Sequence, residues 1–125
     1  MILLGKSSQV KGRRAELELV RLFQSHGIPA EAGQAVSYGT TPDIVGVDGV
    51  HVEVKRRENV NLSAALEQAQ RDSERFGGLP AVFHRKNREK WRVTMTFDSW
   101  ISLYKRAFPG VSGRSEPPGK ERGIE

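Results

Sequence analysis

The chain has 125 residues, 37% of them hydrophobic and 28% charged, which fits one domain around one modest core. It has no cysteine, which excludes disulfides and thiolate metal sites, so a bound metal must use oxygen or imidazole ligands. No apolar run approaches the roughly 18–20 residues that span a bilayer, residues 1–6 are too short an apolar stretch for a secretory signal, and the net charge of +5 suits a polyanionic partner.

In chain order, residues 11–25 read as a helix. Leu19, Val20 and Phe23 share one face, with Leu22 beside them, and Gly27 then Pro29 end it. At 100° per residue Glu16 points inward along this stripe, while Glu18 points to water with Arg14 and Arg21. Gly12 also falls on the inward side, where a second backbone could come close. A short strand is expected over residues 32–36, followed by a loop to Thr41. Residues 42–47 and 50–55 read as two strands joined by Asp48-Gly49, a strong hairpin signal. The second strand alternates: Val50, Val52 and Val54 face the core, and His51, Glu53 and Lys55 face the other way.

Residues 61–76 form the next predicted helix, with Leu62, Ala65, Leu66, Ala69 and Phe76 inward and Gly77-Gly78 as its stop. Residues 80–84 and 91–97 read as strands around a basic turn, and residues 98–108 as a last helix. Residues 109–125 are rich in Gly and Pro, lack periodicity and read as a flexible tail. Its charges balance, so the positive excess sits on residues 1–108, the expected domain. The order of elements describes one α/β sheet flanked by helices.

The chemistry concentrates in Pro42-Asp43, nine residues, then Glu53-Val54-Lys55. Glu53 and Lys55 project from one strand face. Phosphodiester hydrolysis calls for such a set: carboxylates hold a hard divalent cation, which polarises the phosphoryl oxygen and lowers the pKa of a bound water. A lysine beside it positions that water and offsets charge in the transition state. A two-residue hairpin would pair Asp43 with Val54 and turn it to the valine face, so a bend or bulge at the strand start is required.

The segments P-D-I-V and V-E-V-K, together with K-G-R-R-A-E at residues 11–16, resemble the PD-(D/E)xK nucleases, and within them the archaeal-type Holliday junction resolvases and their phage-encoded relatives. The resemblance covers about residues 10–97. It implies a restriction-endonuclease-like core with a central mixed five-stranded sheet flanked by helices. It also implies a Mg2+-dependent endonuclease that accepts Mn2+, with Asp43 and Glu53 as metal ligands, Glu16 as a further metal-site carboxylate and Lys55 as the water-positioning base. Ser37 is the nearest match to a serine that precedes the P-D motif in that family, and Gln68 or Gln70 to a glutamine common after the E-x-K strand. The implied substrate is branched or junction DNA. Paired nicks on two-fold-related strands suit a homodimer, in the cytoplasm of a bacterial or phage-infected cell and without a membrane partner.

Three basic clusters, Lys11, Arg13 and Arg14, then Arg56 and Arg57, then Arg85, Lys86, Arg88, Lys90 and Arg92, are expected to meet backbone phosphates, positioning DNA without reading its sequence. His51 reads as a border residue or phosphate contact, and Trp91 and Trp100 as packing residues. The alternatives are another nuclease on this scaffold (a nickase, a repair or a restriction-like enzyme), or a DNA-binding protein that does not cut.

Overall fold

A computed structural model describes residues 2–33 and 41–112, with side chains for residues 12–33 and 41–110. In chain order the elements are α1 (Ile2–Ser25), β1 (Glu31–Ala32), β2 (Ile44–Val45), β3 (Val50–Arg56), α2 (Leu62–Phe76), β4 (Leu79–Arg85), β5 (Arg92–Thr94), α3 (Phe97–Ala107) and the four-residue α4 (Pro109–Ser112). The protein is α/β, with five strands of mixed direction divided over two sheets and flanked by helices. This agrees with a restriction-endonuclease-like core. No described helix is long and apolar enough to cross a membrane.

The larger sheet runs β3-β4-β5. β3 and β4 are parallel, from Val50 opposite Leu79 to Arg56 opposite Arg85, because α2 makes the return crossover between them. β5 turns back antiparallel on β4, with Phe83 opposite Val93. Asn61 caps α2 by accepting a 3.0 Å bond from the Ala64 N–H. Gly77 ends it at φ 87°, with its N–H on the Ser73 carbonyl at 2.7 Å. Gly78 follows at φ 92°, and a Cβ there would meet the His51 amide nitrogen at 2.8 Å, so only glycine lets the chain enter β4 this close to β3.

The sheet separates two packed layers. Leu19 and Val20 of α1 bury against Ala30, Ile44 and Val52, joined by Phe23, Val54, Phe83 and Trp91. Phe23 meets Phe83 edge-on at 5.3 Å. Leu19 is 2% exposed, a burial worth roughly 2 kcal/mol. On the opposite face Ala65 and Ala69 of α2 pack on Val82, with Val60, Leu62 and Leu66 around them. The face of β3 that carries His51, Glu53 and Lys55 is therefore covered by α2.

Several sequence expectations need correction. Helix α1 begins nine residues earlier than the periodicity predicts. The strand expected at residues 91–97 is only Arg92–Thr94, because Thr96 caps α3 by accepting from the Ser99 N–H. The start of the predicted tail forms α4, and residues 113–125 lie outside the described residues. The expected 42–47/50–55 hairpin does not form a ladder among the described residues: β2 pairs with β1, with Ala32 opposite Ile44. Gly46, at φ 89° and tight against the Pro29 carbonyl, diverts the chain before the Asp48-Gly49 turn. A Cβ at Gly12 would meet nothing within 4 Å, so no backbone among the described residues packs there. Gly12→Ala is thus expected to stabilise α1 by about 1 kcal/mol in thermal denaturation. A loss of stability would show that something does press on that position.

Glu18 does not simply point to water. Its Oε2 accepts from Arg85 Nε at 2.7 Å and from Trp91 Nε1 at 2.9 Å, and Arg56 Nε lies 3.9 Å from Oε1. The Arg85 hydrogen bond holds its carboxyl below the usual carboxylate range, against a smaller opposing push from burial. A lowered folded-state pKa stabilises above the ordinary carboxylate value, and that stability is lost as pH falls through the folded one. With the side chain 40% exposed, Glu18→Gln is expected to cost only about 1 kcal/mol at neutral pH. The gap to the native chain should close in acid unfolding curves. A gap unchanged by pH would contradict the ion-pair account.

Candidate metal centre

Three elements bring acidic groups together. Glu53 sits midway along β3 and is 8% exposed, beneath α2. Glu16 comes from α1. Asp43 sits at a bend immediately before β2, where its carbonyl accepts from the Gly33 N–H at 2.7 Å. Because β2 is paired with β1 rather than with β3, Asp43 is not bound by the hairpin register that would have turned it to the valine face. The bend required by the sequence is present.

The electrostatics show how close these groups lie. The Glu16 carboxyl is pushed up to about 7, first by burial, then by the Asp43 charge and a hydrogen bond to Asp43, with a further push from Glu53 and partial relief from Arg13. Burial also raises Glu53, as do Asp72 and Asp43, while Lys55 opposes them. Lys55 Nζ lies 3.5 Å from Glu53 Oε2 and 3.5 Å from Gln68 Oε1. Glu16 beside Asp43, and Glu53 beside the Lys55 ammonium, offer acidic groups, two of them reluctant to ionise, whose charge a divalent cation would neutralise. The residues present therefore fit a hard ion. A cleft of about 260 Å³ opens beside them, lined by Gly12, Glu16, Val54, Lys55, Arg56 and Arg57 among others.

Helix α2 answers β3 residue for residue: Gln68 meets Lys55, Asp72 lies by Glu53, and Phe76 stacks on His51 with centroids 6.3 Å apart. His51, Glu53 and Asp72 present ligand atoms all within 4.8 Å of one another, a cluster compatible with a metal ion. His51 is no border residue, since it is 5% exposed, and burial pushes its imidazole below the usual range. Sequence reasoning missed Asp72. The signal existed, because at 100° per residue Asp72 falls about 20° from Ala65 on the inward stripe of α2.

Of the two glutamines, Gln68 reaches Lys55, whereas Gln70 is exposed and bonds Glu74 at 3.3 Å, away from the centre. Among the basic residues, Arg14, Arg56 and Arg57 line a larger cleft of about 560 Å³ with Glu18, Glu58 and Asn87. Arg85, expected to meet phosphate, is held by Glu18, and its guanidinium lies 5.7 Å over the Trp91 ring. Lys86 and Arg88 occupy the exposed β4–β5 turn, with Arg88 at φ 62°. Arg92, exposed, pairs with Glu89 at 3.5 Å. Trp91 packs in the core as expected, whereas Trp100 is exposed and stacks on Tyr104. Ser37 and the Lys11 side chain lie outside the described residues.

No curated protein and no solved structure matches the chain. The family model described as archaeal Holliday junction resolvase (hjc) matches residues 7–101, most of the chain, from within α1 to the first half of α3. That span includes Glu16, Asp43, Glu53 and Lys55, and the chain belongs to this family within the PD-(D/E)xK nuclease superfamily.

Proposed function

We propose that this protein is a structure-specific DNA endonuclease that hydrolyses phosphodiester bonds in branched DNA with Mg2+, for which Mn2+ substitutes. The observation that carries the reading is the mutual charge repulsion of Glu16, Asp43 and Glu53, which with burial pushes the Glu16 carboxyl up to about 7, together with the Lys55 ammonium 3.5 Å from Glu53. Family membership supports the same reading.

Asp43 and Glu53 would hold the ion, with Glu16 as an accessory ligand. A bound Mg2+ supplies Lewis acidity, lowering the pKa of a water and polarising the phosphoryl oxygen. The chain's own residues do the rest. Gln68 and Glu53 fix the Lys55 ammonium from two sides, so that it orients the attacking water by hydrogen bonding and offsets charge as the bond from phosphorus to the leaving sugar oxygen breaks. Arg13 stands on the Glu16 side, and Arg14, Arg56 and Arg57 line the neighbouring cleft, where they hold backbone phosphates. Lys86 and Arg88 extend that basic surface.

The protein acts as a homodimer, one centre for each of two symmetry-related strands. Helix α3 supports this, since Phe97, Trp100 and Leu103, with Phe108 just beyond, are exposed and a second copy would cover them. Trp100→Asp is expected to yield monomers in sedimentation equilibrium. A native chain that is already monomeric at every concentration would remove the dimer. The substrate reading is tested by cleavage of a four-way junction against a matched linear duplex in Mg2+. Paired nicks confined to the junction support it, and equal cutting of both DNAs would point to a general nuclease on the same scaffold.

A further inference from the structure

His51 is the residue that the nuclease reading leaves unused. Its ring is buried between β3 and α2, and its Nε2 is a buried nitrogen with no hydrogen-bond partner among the described residues. That nitrogen lies 4.0 Å from Glu53 Oε1, too far for a hydrogen bond, in a cluster completed by Asp72. Such an orphan costs free energy that a bound group would recover. Phe76 stacks on the imidazole with its ring 8° from parallel, which restricts its rotation.

We propose that His51, Glu53 and Asp72 form a second cation position, distinct from the Glu16–Asp43 side of the centre, that takes a borderline transition ion such as Zn2+ in preference to Mg2+. The geometry allows it. His51 and Glu53, two apart on β3, share a face, and Asp72 descends on them from α2. Zinc bonds to nitrogen and oxygen of about 2.0–2.2 Å put tetrahedral ligand atoms roughly 3.4 Å apart. The 4.0 Å His51–Glu53 separation closes to that with a shift of less than about 1 Å, and the widest spacing in the cluster, up to 4.8 Å, with about 1.4 Å. The two oxygens of Glu53 divide the space: Oε1 faces His51, and Oε2 lies 3.5 Å from Lys55. One carboxylate can thus serve both positions. An imidazole selects for zinc, copper, nickel or iron, whereas Mg2+ demands oxygen and gives up its waters reluctantly. Two carboxylates and an imidazole leave the fourth zinc position to water.

The site goes beyond the nuclease reading, and only Glu53 is common to both. The test is calorimetric titration of ZnCl2 into the full chain in excess Mg2+, with Co2+ and its visible d–d absorption as a second probe. The native chain should bind one Zn2+ that Mg2+ does not displace. His51→Gln should weaken zinc by roughly 100-fold, at least as much as losing an outer partner costs, and abolish the Co2+ spectrum. Because His51 is buried, Asp72→Asn serves as an independent variant with the same expected loss, and circular dichroism shows whether each is folded. Asp43→Asn should keep the zinc site even as cleavage is lost. Native-like zinc affinity in both folded variants, zinc that Mg2+ readily displaces, or loss of zinc in Asp43→Asn alone would overturn the proposal. A chain that binds zinc as described yet never cuts DNA would overturn only the nuclease reading.

Discussion

Asp43→Asn is expected to abolish Mg2+-dependent cleavage, by on the order of 10³-fold or more, while junction binding persists or tightens. The size follows from the several kcal/mol of transition-state stabilisation that a held divalent ion supplies, at about 1.4 kcal/mol per tenfold in rate. Binding is expected to survive because the basic residues proposed to meet phosphates lie on other segments, and removing a negative charge favours the approach of a polyanion. The substitution is nearly isosteric and Asp43 is exposed at its bend, so the fold should hold. It also has a signature independent of activity. The Asp43 charge and hydrogen bond are, after burial, the main causes of the raised Glu16 carboxyl. In Asp43→Asn the Glu16 titration, followed by carbon NMR, should move from about 7 back toward the ordinary carboxylate range. Full cutting with an unmoved Glu16 would remove Asp43 from the centre.

The second large effect is expected at Lys55. Lys55→Ala should lower single-turnover cleavage by about 10²–10⁴-fold, the range for a positioned proton-handling or charge-stabilising group. DNA binding should weaken only slightly. Its ammonium is shared between Glu53 and Gln68, so Gln68→Ala should give a smaller loss through misplacement of Lys55. Lys55 also opposes the upward push on Glu53. Its removal should therefore raise Glu53 further and shift the pH dependence of cleavage to higher pH. A variant with unchanged rate and pH profile would show that the lysine is only a solvated neighbour of Glu53.

The sequence carried the parts of this centre that depend on local periodicity. Alternation on β3 placed Glu53 and Lys55 on one face, and the 100° spacing of α1 turned Glu16 inward. What it lacked was long-range geometry. Asp43 comes beside Glu16 with Gly46 diverting the chain and β1 capturing β2, and neither event is visible in an Asp-Gly hairpin signal. Glu18 was misplaced for the same reason: Arg85 and Trp91, its partners, are 67 and 73 residues away in sequence. His51 resembled a surface residue until α2 supplied Asp72 and Phe76 above it. Asp72 itself sat on a legible helical stripe, where an inward carboxylate calls for a partner as much as Glu16 does. The exposed apolar side chains of α3 gave a good helix pattern, but a pattern alone does not tell a core face from a face left for another copy.

The central claim is that carboxylates from α1, the bend before β2, and β3 converge on one cation. Crystals soaked in Mn2+ and measured at its absorption edge test it most directly. The account expects an anomalous peak within bonding distance of Asp43 and Glu53, with Glu16 beside it, that disappears in Asp43→Asn. A strong peak elsewhere on the protein, with these three side chains turned away from one another, would contradict it.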